Sequence, residues 1–208
     1  MILKEWFRRR QQRRLKDPAY AFLFDPPPVD EYVVFDCETT GLDPRSAELL
    51  TIGAVRVVQN RIETKESLHL IIKPQKEVSE ESIKVHHLRS CDVQNGIDPY
   101  EAVGRFVRFV GSRAVVGYYL EFDVAMVNKY LRPLIGIGLP NPKHEVSGVY
   151  YDYKIGRIPQ GNVDLRFDTI MRDLGLPMLG QHNALSDATM TALIWLKLRK
   201  GVHHHGKQ

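Results

Sequence analysis

Two carboxylates stand one residue apart where a hydrophobic run ends, in the sequence VVFDCETTGL of residues 33–42. The β-branched and aromatic residues before them are typical of a buried strand. Because side chains alternate along a strand, Asp36 and Glu38 point to one side of it and Cys37 to the other. Adjacent carboxylates at the end of a buried strand repel each other and resist desolvation, and a cation between them would remove that cost. The pair therefore predicts a metal-binding site.

Two more acids and a histidine complete a set of groups that suits hydrolysis. Asp123 lies in GYYLEFDVAMVN, and Asp187 lies in LGQHNALSDATMTA, five residues after His182. Oxygen ligands without a cysteine cluster suit a hard divalent cation such as Mg²⁺ and not zinc. Two such ions about 3.5–4 Å apart activate a water and stabilise the leaving oxygen in phosphodiester displacement. A nearby histidine can take the proton of that water, so the set predicts metal-assisted phosphodiester hydrolysis.

Each of these signals also has an ordinary structural explanation. A lone Asp-x-Glu at a strand end is usually a solvated edge, and Asp123 could be a helix cap or a first-turn acid. His182 could be a surface or capping residue. The prediction therefore rests on the ordered set and not on any single residue.

The chain around these residues alternates between strand and helix patterns. Three early strands joined by short loops predict antiparallel pairing, with a turn after the first strand at residues 41–44. The predicted strands are Tyr32–Asp36, Leu50–Val58, Glu66–Lys73 and Arg113–Tyr118. The predicted helices are Ser79–His87, Pro99–Val110, Phe122–Leu134, Val163–Leu174 and Ala184–Arg199, and residues 138–162 are expected to form a long surface loop. This order predicts an α/β or α+β sheet covered by helices.

The net charge of +4 comes from the N-terminal segment MILKEWFRRRQQRRLK, which holds seven basic residues and one acid. Removing these from the 29 basic and 25 acidic residues of the chain leaves 22 and 24, a net charge of −2. Such an arm can bind a phosphate backbone, an acidic partner or a membrane surface. It is equally interpreted as a solvated helix whose apolar residues, Trp6 among them, pack on the domain. An Arg-rich start is also typical of a mitochondrial transit peptide.

Length and composition indicate one substantial domain of 208 residues with an ordinary hydrophobic share of 43%. The stiff spacer Pro26–Pro28 places the predicted boundary near Asp30. We expect a basic arm and spacer at 1–30, a catalytic domain at 31–200 and a tail at 201–208. No stretch has the apolar length of a membrane span, and the start is not a secretory signal. Two lone cysteines give no disulfide framework, so we expect a cytoplasmic protein.

The motifs in this order resemble those of the DnaQ-like 3′–5′ exonucleases of the DEDDh type. The resemblance covers about residues 31–199. It rests on FDCETTGL at 35–42, on Phe122-Asp123 and on HNALSDA at 182–188. The histidine of the third motif, in place of a tyrosine, indicates the DEDDh branch. The resemblance implies an α/β, ribonuclease H-like mixed sheet of three antiparallel strands followed by parallel strands and flanked by helices.

The resemblance also implies roles for individual residues. Asp36, Glu38 and Asp187 would hold the catalytic ion, Mg²⁺ or Mn²⁺. Asp36 would bridge to a second ion that Asp123 holds partly through water, and His182 would be the general base. The turn formed by Thr39, Thr40, Gly41 and Leu42 would meet the terminal nucleotide, with Leu42 against its base. Phe122 could touch a base, although a core position is the simpler interpretation for it, as is a turn residue packed on the core for Leu42.

The chain departs from the family pattern at a few positions. Many family members have His-Asn where this chain has Tyr118-Tyr119, and an asparagine there would help to orient the substrate. Asp168 lies where the family often has an acid, and we expect it to support the site from outside or to be structural. His86 is expected to be structural. His203–His205 form a short run near the C-terminus.

These observations predict a metal-dependent 3′–5′ exonuclease that acts on the 3′ end of single-stranded DNA or RNA, in proofreading, repair or RNA processing. Exposed tyrosines could stack on bases, although core or loop packing is favoured for at least half of the four candidates. These are Tyr118, Tyr119, Tyr150 and Tyr151. The alternative prediction is a module that binds a polymerase, another protein or nucleic acid through the Arg-rich arm and has weak nuclease activity. No membrane partner is expected, and the sequence leaves the oligomeric state open.

Overall fold

The chain, described here from a computed structural model, builds one mixed β-sheet from strands of both orientations. The described residues are 2–76, 78, 80–156, 162–180 and 182–203. The strands are β1 (Glu31–Thr39), β2 (Leu49–Val58), β3 (Arg61–Ile71), β4 (Ala114–Gly117) and β5 (Lys143–Glu145). Their order in the sheet is β3-β2-β1-β4-β5, with β1, β2 and β3 antiparallel and with β4 and β5 parallel to β1. The predicted ribonuclease H-like mixed sheet is confirmed.

Helices cover both faces of this sheet. They are α1 (Ile2–Arg14), α2 (Glu80–His86), α3 (Ser90–Val93), α4 (Pro99–Val110), α5 (Leu120–Ile135), α6 (Val146–Ile155), α7 (Phe167–Asp173) and α8 (Ala184–His203). A 3₁₀-helix spans Pro18–Phe24. None of the described helices is both long enough and apolar enough to cross a bilayer.

Alternation along β1 divides the core between the two faces of the sheet. Val33, Phe35 and Cys37 belong to a cluster with α4 and α5. Val34 belongs to a second cluster with α6, α7 and α8. Because neighbouring residues face opposite ways, Asp36 and Glu38 project toward the α8 side where β1 ends.

The N-terminus of α8 lies directly on β2 at Gly53. A Cβ built on Gly53 would stand 2.2 Å from the backbone carbon of Ala184 and from the backbone nitrogen of Leu185. Gly53 pairs with Asp36 across the β1–β2 ladder. The absence of a side chain at Gly53 therefore allows the start of α8 to lie beside the end of β1.

One predicted element is wrong. Residues 138–162 are not a single long loop, because β5 and α6 lie within them. The strand has only three residues and depends on its pairing with β4, which sequence periodicity does not reveal. The Gly- and Tyr-rich composition of the segment conceals the helix, although Val146 and Tyr150 are buried at a helical spacing.

The other predicted strands and helices are present, most of them with shifted ends. Pro99–Val110 has the predicted bounds, whereas the last helix continues to His203 and the third strand begins at Arg61. The exposed, polar start of the third strand carries no apolar alternation. The predicted helix at 163–174 is shorter and begins at Phe167. His204 and His205 of the predicted run lie outside the described residues.

The N-terminal segment begins with the helix α1, and the 3₁₀-helix that follows it packs on the domain. Trp6 and Phe7 are each 52% exposed, so packing of Trp6 on the domain, one of the two interpretations, is not observed. Tyr20 and Leu23 are buried in the cluster that contains α4 and α5. The division into 1–30, 31–200 and 201–208 stays a prediction, and the second half of the arm contributes side chains to the core.

Gly53→Ala should destabilise the protein. The new methyl group would meet backbone atoms that cannot rotate away, and overpacking of this kind costs about 1–3 kcal/mol or more. Thermal unfolding followed by circular dichroism measures the loss. The matched control is Gly148→Ala, because Gly148 lies in α6 with no atom near its would-be Cβ. A melting temperature for Gly53→Ala equal to that of the wild type would contradict the close approach.

Candidate active site

Three of the predicted metal ligands meet at the end of β1. Asp36, Glu38 and Asp187 each offer a carboxylate oxygen, and these oxygens all lie within 4.8 Å of one another. Asp36 and Glu38 come from β1, where the pairing with β2 shifts register between Glu38 and Thr39. Asp187 comes from the first turn of α8. A register shift at this point re-aims the side chains that leave the strand.

The fourth acid, Asp123, approaches from the other side of the strand end. It lies in the first turn of α5 and is only 4% exposed. The backbone N–H and the thiol of Cys37 both donate hydrogen bonds to its carboxylate. The buried thiol thus positions Asp123, a role that the sequence analysis did not assign to Cys37.

Burial and mutual repulsion make these carboxylates hard to ionise without a cation. Burial raises the pKa of Asp36 well above its usual value, and the charges of the three other acids raise it further. Burial, followed by the charge of Asp187, raises the pKa of Glu38 to about 7. Burial also raises the pKa of Asp123, although the hydrogen bonds from Cys37 oppose that rise.

Asp187 is held by the loop that carries His182. Burial raises the pKa of Asp187, and a hydrogen bond from the backbone N–H of His182, 3.0 Å long, acts against this. His182 has a positive φ of 65°, and its side chain is exposed at the rim of the cleft. Its ring centroid lies 6.2 Å from that of His87. The histidine therefore faces open space directly beside the carboxylates.

The composition of the donor set suits a hard divalent ion. All four acids offer oxygen, and no Lys or Arg of the described residues forms an ion pair with any of them. Buried carboxylates without a protein cation are stabilised by a bound metal ion or by protonation. The residues present therefore fit Mg²⁺ or Mn²⁺ better than zinc, for which no thiolate or imidazole cluster is found among the described residues.

The predicted substrate residues line the same open cleft, which has a volume of about 590 Å³. This volume lies in the range of about 300–1,000 Å³ found for small-ligand sites. Leu42 is 89% exposed at the rim, so its interpretation as a residue packed on the core is wrong. Phe122 packs against the core and also lines the cleft, and its contact with a base stays a prediction.

Hydrogen bonds fix the turn that carries Leu42. The Thr39 hydroxyl donates to the Gly41 carbonyl at 2.8 Å. Thr40 is paired with Glu48 through its own N–H and through its hydroxyl, which accepts from the Glu48 N–H, each at 2.9 Å. The hydroxyls of both threonines are thus engaged within the protein, and Leu42 is the residue of the turn most free to contact a ligand.

The tyrosines separate into two groups. Tyr118 and Tyr119 line the cleft, and Tyr119 is 75% exposed in a left-handed conformation just before α5. The Tyr118 hydroxyl donates to the Leu165 carbonyl at 2.9 Å. Tyr150 is a core residue, whereas Tyr151 is exposed on α6. Packing thus accounts for Tyr150, and Tyr119 is the best placed to meet a base.

Glu145 is a site residue that the sequence analysis missed. Its carboxylate accepts hydrogen bonds from the Leu120 N–H at 2.8 Å and from the Ser147 N–H at 3.1 Å. It thereby caps both α5 and α6, and its charge contributes to the raised pKa of Asp123. Because β5 was expected to be loop, the sequence offered no signal for Glu145 beyond its place shortly before a hidden helix.

The roles expected for Asp168 and His86 stay predictions. Asp168 lies in the first turn of α7 and accepts a hydrogen bond from Arg172 at 3.4 Å. Its neighbour Phe167, not Asp168, lines a small cavity next to Asp36 and Asp187. His86 ends α2, and its side chain lies outside the described part of the chain.

Sequence comparison relates the chain to polymerase-associated proteins. DNA polymerase III subunit epsilon of Aquifex aeolicus is 30% identical over 168 residues, which cover 80% of this chain and 79% of that protein. DNA polymerase III PolC-type of Thermotoga petrophila is 27% identical over 166 residues. That match covers 80% of this chain and only 12% of the relative.

Structural comparison points to the same fold. E. coli exonuclease I in complex with a dT13 oligonucleotide aligns with a TM-score of 0.72 and 15% identity, over 84% of this chain and 42% of that one. Cell-death related nuclease 4 aligns with a TM-score of 0.72 and 13% identity, over 83% of this chain and 64% of that one. At these identities the likeness is one of fold.

A family model described as exonuclease (RNase_T) matches residues 33–195. This span runs from β1 to α8 and contains all three motifs that carried the resemblance. The predicted family is confirmed, and the chain belongs to the exonuclease family, in its DnaQ-like group.

Proposed function

We propose that the chain removes nucleotides from the 3′ end of single-stranded DNA or RNA by hydrolysing the terminal phosphodiester bond. One observation carries the proposal: Asp36, Glu38 and Asp187 place their oxygens within 4.8 Å of one another, in a cleft that Asp123 and His182 also line. The names of the relatives, which include DNA polymerase III PolC-type and DNA polymerase III subunit epsilon, support a role in replication.

The residues of the cleft would have different roles in the reaction. Asp36, Glu38 and Asp187 would hold one divalent ion, and Asp36 and Asp123 a second one. Such ions activate the attacking water and stabilise charge on the leaving oxygen. His182, exposed beside Asp187, accepts the proton of the attacking water as general base. Leu42 and Phe122 contact the terminal base, and Tyr119 contacts the base or sugar beside it.

The open cleft rim supports a single-stranded end as substrate. Leu42 and Tyr119 are both largely exposed and line the same cleft. Base–side-chain stacking does not depend on base pairing and tolerates any sequence. Both DNA and RNA are candidate substrates, and a gel assay with oligomers of each compares them directly.

A second proposal follows from the relatives that are named as DNA polymerase III or its epsilon subunit. In it, the chain works beside a polymerase as a proofreading component. A cytoplasmic location accords with this role and with the two free cysteines of the chain. Comigration with a replicative polymerase in gel filtration, lost in a variant without residues 1–14, would support it.

Asp36→Asn should abolish hydrolysis while the fold is kept, because the isosteric amide removes the negative charge of a residue that would hold the divalent ions. The measurement is a gel assay with 5′-labelled single-stranded DNA and RNA oligomers in Mg²⁺, Mn²⁺ or EDTA. We expect a metal-dependent ladder that shortens from the 3′ end for the wild type and none for the variant. Asp152→Asn, on the exposed side of α6, is the matched control. Normal turnover by Asp36→Asn would refute the role of Asp36.

His182→Ala should lower the rate about 10²–10⁴-fold, as expected for the loss of a general base. Metal affinity should persist, since only the backbone N–H of His182 bonds to Asp187. The rate is measured in single-turnover conditions at pH 8 with saturating Mn²⁺. His69→Ala, on exposed β3, is the control. A loss below tenfold would mean that another group takes the proton.

The metal-free protein should become less stable as the pH rises from about 5 to 8. The pKa of Glu38 rises from 4.5 to about 7 on folding, so the folded state binds more protons than the unfolded state between these values. The contribution of Glu38 to the free energy of unfolding is therefore complete below its pKa in the unfolded state, and it is lost as the pH rises through about 7. Differential scanning fluorimetry in EDTA should show the fall, and Asp36→Asn should reduce it.

Divalent ions should reverse this loss. At a concentration 100-fold above its dissociation constant, Mg²⁺ or Mn²⁺ would raise the free energy of unfolding by about 2.7 kcal/mol. For a chain of this size this corresponds to a rise of roughly 5–10 °C in melting temperature. The gain should be larger at pH 8 than at pH 5, because the ligands must be deprotonated. Equal melting curves with EDTA and Mn²⁺ at pH 8 would argue against a metal site.

A further inference from the structure

The basic helix α1 presents one exposed face that combines arginines with a tryptophan. A shallow groove on it is lined by Trp6, Arg9, Arg10, Arg13 and Arg14. Their spacing of three and four residues places them in one stripe along the helix. Among the described residues, no carboxylate forms an ion pair with these arginines. The positive charge of this face is therefore available to a ligand.

Contacts from the middle of α1 and from the residues that follow its end fix α1 on the domain. The Lys16 N–H donates to the Ile135 carbonyl at the end of α5, at 2.9 Å. The Arg8 guanidinium donates to the Asp25 carbonyl, also at 2.9 Å. Leu15 packs against the core cluster beneath α5. The C-terminal end of α1 thus has a defined position beside the end of α5.

A second groove runs along α5 between the active-site cleft and this junction. It is lined by Glu121, Val124, Ala125, Asn128, Lys129, Arg132, Pro133 and Lys143. Glu121 is the neighbour of Phe122, which lines the cleft, and Arg132 lies one turn before Gly136. A Cβ on Gly136 would lie 2.7 Å from the Lys16 side chain. The groove therefore joins the cleft to the base of α1.

The charges along this path favour an anion. The α5 groove has three cations, Lys129, Arg132 and Lys143, against one acid, Glu121. Lys129 and Lys143 donate to backbone carbonyls and are held in place, at 2.6 Å to Ala47 and 3.1 Å to Leu139. Positive charge density then increases from the acidic cleft toward α1, which holds five arginines and no acid between residues 8 and 14.

We propose that the α5 groove and the Arg/Trp face of α1 bind the phosphate backbone of the strand whose 3′ end occupies the cleft. This inference rests on the proposed function, because it takes its substrate from it. Arginines beside an exposed aromatic ring are the groups that bind single strands, through phosphate contacts and base stacking. The continuity of the path with the cleft favours nucleic acid over a membrane surface or an acidic protein.

The length of the path sets the size of substrate that reaches α1. At about 1.5 Å per helical residue, the path covers about 16 Å along α5 and about 12 Å along α1. At about 3.4 Å per nucleotide of a stacked strand, 28 Å corresponds to about eight nucleotides. A trinucleotide therefore occupies only the cleft, whereas a dT12 oligomer reaches the arginines.

The test compares dT12 with dT3 on the full chain. Binding of 5′-fluorescein oligomers is followed by anisotropy in EDTA at 50–200 mM KCl, and cleavage of both is measured in Mn²⁺. The variant R9Q/R10Q/R13Q/R14Q keeps good helix formers in α1. The matched control R61Q/K65Q/K73Q/K197Q removes the same charge from exposed positions elsewhere. Circular dichroism verifies the folding of both.

We expect the wild type to bind dT12 with a steeper salt dependence than the arginine variant. Four phosphate contacts contribute about 2.8 to the slope of log K against log [KCl], or about 50-fold in affinity between 50 and 200 mM. The arginine variant should lose this part of the slope, while the control keeps it. Cleavage of dT3 should be the same in all three proteins.

Tryptophan fluorescence gives an independent readout. Trp6 is exposed and Trp195 is buried, so quenching by dT12 and not by dT3 would report stacking on Trp6. Trp6→Phe should abolish that quenching. No quenching, an equal effect of the control variant, or an unchanged slope for the arginine variant would each overturn the inference. Binding of α1 to anionic vesicles or to an acidic protein with an unchanged dT12 slope would do the same.

The two proposals fail in different ways. If the wild type cleaves dT3 and dT12 while the arginine variant binds both like the wild type, only the role of α1 and the α5 groove is wrong. If the wild type cleaves neither oligomer in Mn²⁺, the proposed nuclease function itself is wrong.

Discussion

Mutual repulsion of buried carboxylates destabilises the active site, and the packing of the rest of the structure must offset this cost. Asp36, Glu38, Asp123 and Asp187 come from three elements, and the charges of the other three acids raise the pKa of Asp36 where β1 ends. Isolated, such groups would separate into water or take up protons. They stay together because the elements that carry them are fixed by packing far from the charges.

Packing on both faces of the sheet supplies that support. Val33 and Phe35 anchor β1 to α4 and α5, and Val34 anchors it to α8. Gly53 permits α8 to lie on the backbone of β2, which brings Asp187 to the end of β1. Cys37 and Glu145 then act locally, one by hydrogen bonds to Asp123 and the other by capping α5. Hydrophobic burial thus offsets an electrostatic cost that is concentrated at the site.

The distribution of charge has a consequence for substrate binding. The cleft is acidic and the substrate is a polyanion, so the four carboxylates oppose binding unless divalent ions neutralise them. Among the described residues, no Lys or Arg lines the cleft, and the cations of the two grooves lie on α5, β5 and α1. In this arrangement the metal site would provide chemistry and the distant arginines would provide affinity. The two tasks are separated because an arginine next to Asp36 would pair with it and displace the ion.

Much of the site could be predicted from sequence because its residues occur in short motifs with distinctive local structure. The strand that ends in Asp36 and Glu38, and the helix that begins near Asp187, are both visible as periodic patterns. Three of the four predicted ligands converge and the fourth, Asp123, lines the same cleft, since a sheet covered by helices brings strand ends and helix starts to one edge. The roles assigned to individual residues remain predictions that the proposed variants test.

The sequence by itself determined the acids, their order and the class of sheet, because these follow from residue type and local periodicity. Tertiary structure alone decided where β5 and α6 lie, since a three-residue strand exists only through its pairing with β4. It also decided the roles of Cys37 and Glu145, whose partners are distant in the chain, and the exposure of Leu42. The position of α1 beside α5 depends likewise on the backbone hydrogen bond between Lys16 and Ile135, for which no sequence pattern exists.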